Sequence, residues 1–213
     1  MRFLITAGPT REPIDPVRFL SNRSSGRMGY AIAQAALDAG HEVVLISGPV
    51  ALNAPPRAQT IQVTTADEMY DAVHAHLAGI DIAVLCAAVA DFKPAQFAAH
   101  KIKKHDGIPR IELVPTRDIL ASLGALSSRK FLLAGFSAET DDIVENSRKK
   151  LAKKHCDAVI ANDVSAPGVG FESNENALTI LYPDQSSRIL PRSTKQSLAK
   201  ELIKILCEMK QKR

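Results

Sequence analysis

The residues Ser21-Asn22-Arg23-Ser24-Ser25-Gly26-Arg27-Met28-Gly29 stand between an apolar run, Phe3-Leu4-Ile5-Thr6-Ala7, and an alanine-rich run from about Tyr30 to Ala39. A Ser/Gly-rich turn that opens a helix just after a strand leaves backbone N–H groups without intrahelical partners, and these suit a phosphate or carboxylate. Anion binding is thus the first chemistry the chain suggests. Positive charge recurs at Lys101, Lys103 and Lys104 and again at Lys149, Lys150, Lys153 and Lys154. Lys150 and Lys154 are four apart and share a helix face, as do Lys149 and Lys153; like charges so spaced repel, and a polyphosphate between them would relieve the repulsion. Such clusters are usually solvated faces, but both of these follow strand ends. Asp91, after an apolar run, is a carboxylate where a Mg²⁺-nucleotide would need a ligand, although turn capping is the commoner task of Asp. Asn22 is an uncharged donor and acceptor beside the turn; loop asparagines mostly satisfy local backbone.

Other groups offer less. Cys86, Cys156 and Cys207 lack paired spacing, which argues against a disulfide scaffold or zinc site. Cys86 ends an apolar run and reads as a small buried hydrophobe. His74 and His76 are two apart on a helical pattern and face different ways. A nicotinamide cofactor is disfavoured: the dinucleotide fingerprint needs G-x-G-x-x-G directly after the first strand. Here only Gly8 is in place, and Gly26 follows after 17 intervening residues. The second strand ends on Ser47-Gly48-Pro49, without the acidic ribose partner, and no Walker A lysine or Tyr-x-x-x-Lys pair is present.

The elements that must position these groups follow from periodicity. With 213 residues, 46% of them hydrophobic, one domain with a full core is expected, and no apolar run approaches the ~20 residues that span a bilayer. The N-terminal apolar stretch is too short for a secretory leader, so a cytoplasmic location and no membrane partner are expected. A net charge of +4 with 5% aromatic residues gives no nucleic-acid signature. Strands are expected at Arg2 to Ala7, Glu42 to Ser47, Thr60 to Thr64, Asp81 to Ala88, Phe131 to Phe136 and Asp157 to Ala161. Helices are expected from Ser24 or Ser25 as N-cap to Ala39, over Ala66 to Leu77, from Thr116 or Asp118 to Leu126, over Asp141 to Lys154, and from Ser193 to Met209. Further strands fall at Ala177 to Tyr182 and near Arg188 to Leu190. Near-continuous apolar strands alternating with helices predict an α/β, doubly wound, Rossmann-like, mostly parallel sheet with helices on both faces. The ligand is then expected beyond the carboxyl ends of the strands. Residues 92–115, with a turn signal at Asp106-Gly107, break the alternation and predict a β-hairpin excursion from the single 1–213 domain.

These residues also carry a resemblance over nearly the whole chain. Ile5-Thr6-Ala7-Gly8-Pro9-Thr10-Arg11-Glu12-Pro13-Ile14-Asp15-Pro16-Val17-Arg18 with Ser21 to Gly29 is similar to phosphopantothenoylcysteine synthetase, the phosphopantothenate–cysteine ligase of coenzyme A biosynthesis. Ala87-Ala88-Val89-Ala90-Asp91-Phe92, Lys101-Ile102-Lys103-Lys104, Gly135-Phe136-Ser137-Ala138-Glu139-Thr140, Ala161-Asn162-Asp163-Val164 and Gly170-Phe171-Glu172-Ser173-Asn174-Glu175-Asn176 match the same family in order. In many bacteria this unit is fused behind a flavin-dependent decarboxylase; these 213 residues hold no counterpart of it, so the resemblance implies no flavin here and either a free-standing synthetase with a separate decarboxylase as a partner or a domain excised from a bifunctional protein.

The resemblance implies that the carboxylate of 4'-phosphopantothenate attacks the α-phosphate of CTP, after which L-cysteine displaces CMP. It implies Mg²⁺ or Mn²⁺, with Asp91 as the candidate metal ligand. Ser24, Gly26, Gly29, Lys101, Asp118, Ile119, Phe136, Lys150, Lys154 and Asn162 correspond to nucleotide contacts. At 116–118 the chain has Thr-Arg-Asp where the bacterial pattern more often has Asn-Pro-Asp. Arg18, Asn22, Ala87, Ala88 and Asp91 correspond to the phosphopantothenate and acyl-intermediate site. Asn22, Asp91 and Lys101 are the catalytic candidates, with Asn22 contacting the acyl-nucleotide when cysteine attacks. Arg18 resembles an arginine that reaches the neighbouring subunit's substrate, which implies a homodimer with shared sites and makes the hairpin the candidate dimer arm. Of two rival readings, an NAD(P)-dependent reductase lacks its first-turn fingerprint, and a non-catalytic nucleotide-binding subunit leaves the Asn22, Asp91 and Lys101 set unexplained.

Overall fold

The computed structural model describes residues 1–104, 110–139, 141–163 and 173–213. Strand β1 (Arg2–Ala7) is central, because its side chains alternate between two cores: Phe3, Ile5 and Ala7 enter one and Leu4 the other. It pairs in parallel with β4 (Glu42–Ser47) on one side and β6 (Ile82–Leu85) on the other. Outward from β4 comes β5 (Gln59–Gln62), and outward from β6 come β9 (Leu132–Glu139) and β10 (Ala158–Asp163), all parallel. An antiparallel pair, β11 (Glu175–Leu181) and β12 (Ser187–Thr194), completes one edge. The eight-stranded order β12-β11-β10-β9-β6-β1-β4-β5 reverses direction between β1 and β6, where doubly wound sheets open a crevice.

Helices cover both faces, as the apolar strands require. Helix α1 (Arg27–Asp38) and α5 (Lys195–Gln211) share one core with the sheet. Helices α2 (Ala66–Ala75), α3 (Ile119–Gly124) and α4 (Ile143–Lys153) share the other. Leu4, Ile5, Ile46 and Ile160 are fully buried, each worth about 1.5–3 kcal/mol of transfer free energy. Among the described residues no helix is long and apolar enough to cross a membrane.

Three local features refine this picture. The first concerns the loop after β1. It forms a short antiparallel ribbon of β2 (Arg11–Pro13) and β3 (Phe19–Ser21), separate from the main sheet, so its prolines need no ladder position there. The second concerns the excursion, whose strands are β7 (Phe92–Pro94) and β8 (Leu113–Pro115), paired outside the sheet. Residues 101–103 are not strand, and the Asp106-Gly107 turn lies outside the described residues, as does the Gly168–Phe171 loop. The third concerns α1, whose N-cap is Gly26 rather than Ser24 or Ser25.

Candidate functional site

A cleft of about 710 Å³ lies at the carboxyl ends of the parallel strands. Its floor is the start of α1. Gly26 has a left-handed backbone with φ +76, which favours glycine, and a Cβ there would stand 2.8 Å from Val50. A Cβ at Gly29 would stand 2.6 Å from the Ala7 methyl, so glycine lets α1 press directly onto β1. No side chain caps α1 and its first turn holds no acidic residue. Its N-terminal N–H groups and the positive end of its dipole therefore remain available to an anion in the cleft. The Oγ of Ser24 accepts from the Gly26 N–H at 3.3 Å and shapes the turn.

The loop after β6 forms the next wall and is pinned from both sides. The Ala87 N–H donates to Thr6 Oγ1 at 3.1 Å, and the Ala90 N–H to Thr10 Oγ1 at 3.0 Å. Thr116 Oγ1 donates to the Ala90 carbonyl at 2.6 Å, and the Thr116 N–H to the Asp91 carbonyl at 2.9 Å. Asn22 Nδ2 donates to the Ala88 carbonyl at 2.9 Å. That bond places an amide side chain, carried by the segment between β1 and α1, against the end of β6. Asn22, Ala87, Ala88 and Asp91 thus share one wall.

The opposite wall is basic. Lys149, Lys150, Lys153 and Lys154 of the α4 region all line it. Lys150 Nζ donates to the Phe136 carbonyl at 2.7 Å, which ties the lysine to the end of β9. Lys154 pairs with Asp118, whose Oδ1 also accepts the Ala121 N–H at 2.8 Å as the N-cap of α3. Partial desolvation pushes the Asp118 carboxyl up, but the Lys154 ammonium and the capped N–H outweigh it, and its pKa lies below the ordinary range. Ile119 and Asn162 complete this end. The described lining holds Arg27, Arg117 and five lysines against two carboxylates, Asp91 and Asp118, so the cleft selects anions.

Most of the residues singled out in the sequence therefore converge: Asn22, Ser24, Gly26, Gly29, Ala87, Ala88, Asp91, Asp118, Ile119, Phe136, Lys150, Lys154 and Asn162 all line one cleft. Arg18 and Lys101 are not among its lining residues. Arg18 stands at a second place, organised by Asp15, to which Lys101 is linked only through its chain neighbour Ile102. The Asp15 side chain is buried, pairs with the Arg18 guanidinium, and accepts N–H groups from Val17 (2.9 Å), Arg18 (2.9 Å) and Ile102 (3.2 Å). Arg18 Nη2 in turn donates to the Ile102 carbonyl at 2.9 Å. The Arg18 guanidinium and these N–H groups hold the Asp15 carboxyl well below its ordinary range.

Among the cleft residues given no role from the sequence are Lys195 and Asn176, the latter lying only within the matched 170–176 run. Lys195 is 4% exposed and Asn176 1% exposed, and both line the cleft. A signal exists for each. Lys195 falls in phase with Leu198, Leu202 and Ile205 on the inward stripe of α5. Asn176 falls in phase with Leu178 and Ile180 on the inward face of β11.

For a metal, the described residues hold no group of three His, Cys, Asp or Glu. With Asp118 engaged by Lys154 and α3, Asp91 is the remaining carboxylate of the described lining. A single carboxylate suits Mg²⁺ bound chiefly through nucleotide phosphates rather than a protein cage.

Known proteins share this sequence and this fold. Residues 1–209 match the profile of the DNA/pantothenate metabolism flavoprotein C-terminal domain. The chain is 49% identical over 203 residues to the coenzyme A biosynthesis bifunctional protein CoaBC of Vibrio vulnificus (strain YJ016), covering 94% of this chain and 50% of that protein. It is 48% identical over 201 residues to the CoaBC of Bacillus subtilis (strain 168), covering 94% and 49%. The chain thus spans about half the length of these curated relatives. The crystal structure of a CoaBC C-terminal domain superposes with a TM-score of 0.84 at 42% identity, covering 100% of this chain and 96% of that one. A Cab2 variant in complex with phosphopantothenate-cysteine has the same fold, with a TM-score of 0.83 at 18% identity over 99% of this chain and 86% of its own.

Proposed function

Because the chain belongs to the DNA/pantothenate metabolism flavoprotein C-terminal domain family, we propose that it joins 4'-phosphopantothenate and L-cysteine, consuming CTP. The observation that carries this reading is the convergence of an uncapped helix N-terminus, the Asn22–Ala88 bond and the α4 lysines on one cleft. A carboxylate is a poor acyl donor until its oxygen becomes part of a good leaving group. The first step therefore forms a bond from the phosphopantothenate carboxylate oxygen to the α-phosphorus of CTP and releases pyrophosphate. The second forms the amide C–N bond, breaks the C–O bond to the phosphate and releases CMP.

The α1 turn at Ser24, Gly26 and Gly29 holds the phosphates through backbone N–H groups. Lys150 and Lys154, with Phe136, Asp118 and Ile119, bind the rest of the nucleotide. Asn22 donates to the acyl oxygen, where charge develops as the amine attacks. Asp91 would hold Mg²⁺ or Mn²⁺, which would neutralise the phosphates when bound. Arg18 and Lys101 act on substrate phosphate and nucleotide. Since neither lines its own cleft, the reading includes a homodimer in which each chain completes the other's site. Exposed Val17 and Phe19 on one ribbon, and Phe92, Phe97 and Leu113 on and beside the other, supply an apolar face for that pairing. A cytoplasmic setting, no flavin on this domain and a flavin-dependent decarboxylase acting on the product go with this reading.

The test is pyrophosphate release from CTP and 4'-phosphopantothenate, with and without L-cysteine. The expected result is a burst without cysteine and sustained turnover with it. No pyrophosphate from any nucleoside triphosphate would end the ligase reading.

A further inference from the structure

At the α1/α5 side of the cleft, two amide oxygens stand without hydrogen-bond partners: Asn162 Oδ1 and Asn176 Oδ1, on residues 7% and 1% exposed. A buried acceptor left unmade costs about 1–3 kcal/mol, so a pair of them marks a place built for a donor. They belong to adjacent antiparallel strands. Asn162 of β10 stands opposite Leu178 of β11, and Asn176 is two residues from Leu178, so both side chains emerge on the α1/α5 face. On the same face Lys195, the first residue of α5, lines the cleft and is buried. Its placement is fixed by main-chain contacts. The Lys195 N–H donates to the Asn174 carbonyl at 3.0 Å, while Arg27 Nη1 donates to Asn174 Oδ1 at 2.9 Å, joining the starts of α5 and α1. Burial, and secondarily the Arg27 charge, lowers the Lys195 ammonium from its ordinary range.

Few ligand chemistries satisfy this corner. A phosphate presents acceptors to two amide oxygens that need donors. A simple amine or metal cation meets the charges of Lys195 and Arg27. A group that carries N–H donors beside a carboxylate fits both halves, and that is an α-amino acid. We propose that Asn162, Asn176 and Lys195 form the seat of the amino-acid co-substrate, Lys195 taking its carboxylate and the two amide oxygens its amine. This rests on the ligase reading. Amide oxygens accept N–H bonds without taking the proton, so they hold an amine while its lone pair stays free to attack. The corner reaches toward the acyl-transfer point: Cys86 lies close enough to Lys195 for the two groups to interact electrostatically, and it is two residues from Ala88, whose carbonyl accepts from Asn22.

The test separates the half-reactions and compares L-cysteine with 2-aminoethanethiol, the same amine and thiol without the carboxylate. Lys195→Met is expected to leave pyrophosphate release without amine, and its KM for CTP, within about twofold of the unaltered chain. It should raise the KM for L-cysteine roughly 10-fold or more while leaving that for 2-aminoethanethiol unchanged, so the preference between the amines collapses. Lys195→Arg should retain the preference. Asn176→Leu should slow amide formation with both amines alike, because it removes an acceptor and not the carboxylate partner. A raised KM for CTP with the amine preference intact would overturn the proposal and give Lys195 to the nucleotide. Unchanged cysteine kinetics in Lys195→Met and Asn176→Leu would overturn it as well. Absence of pyrophosphate release in the unaltered chain would instead strike the ligase reading itself.

Discussion

The α1 turn and the Asp15 junction handle charge in opposite ways. At the turn, backbone N–H groups face the cleft and the side chains have been removed: Gly26 and Gly29 let the helix start close against Ala7 and Val50. At the junction, the long side chain of Arg18 is held at the surface by a buried carboxylate, and Asp15 binds the backbone of Ile102 beside Lys101. The turn is built within one chain by close packing of glycines. The junction holds Arg18 against Ile102, the neighbour of Lys101, outside the cleft. Main-chain anion sites are fixed by packing, while side-chain sites can be carried on an arm and offered elsewhere.

The largest effect is expected at Asn22, which lies between the two regions in sequence and reaches the cleft wall. Asn22→Asp places a carboxylate against the Ala88 carbonyl and the acyl oxygen. Pyrophosphate release should persist while amide formation falls about 10²–10³-fold. Equal loss of both half-reactions would deny Asn22 its separate role. Next comes the turn. In Gly29→Ala the new methyl meets the Ala7 methyl at 2.6 Å, so α1 must shift from β1. A loss of about 1–3 kcal/mol in denaturant unfolding, with a raised KM for CTP, is expected. Unchanged nucleotide affinity would show that the helix start does not hold phosphate. Lys101→Gln should weaken nucleotide use by roughly 10-fold without altering stability. A KM and turnover equal to those of the unaltered chain would remove Lys101 from the site.

The smallest effect is a pH dependence. The Asp15 carboxyl is held below its ordinary 3.8, chiefly by Arg18. A depressed carboxylate pKa contributes stability that is fully present above the unfolded value and is lost as pH falls. Asp15→Asn should therefore lower the thermal midpoint at neutral pH, and the gap between the two proteins should narrow as pH drops below about 4. A gap independent of pH would mean the clasp is held by shape rather than charge.

The sheet was legible because its strands are apolar on both faces. Arg2–Ala7 and Glu42–Ser47 fall where the runs of Val, Ile and Leu place them, and Asp118 announces the start of α3. The α1 cap was not legible from side-chain preference. Ser24 and Ser25 are good N-caps, yet the left-handed backbone needed to turn beside Gly8 and Val50 selects Gly26. The ribbon of β2 and β3 was hidden because its three-residue strands carry too little alternation to register. Much of the cleft could be assembled from the loops that follow the strands, since a doubly wound sheet brings those loops together. Lys195 and Asn176 were missed because each lies on the buried phase of a regular element, where polar residues are read as errors of periodicity rather than as parts of a site.

The claim that one chain completes another's cleft is tested most directly by mixing two defective chains. Arg18→Ala and Asn22→Asp should each be nearly inactive in amide formation alone. Unfolded and refolded together, they should regain about a quarter of the unaltered activity, since half of randomly paired dimers are mixed and each mixed dimer contains one intact site. Mixed dimers that form and stay inactive would contradict shared sites and place Arg18 on the same chain's substrate.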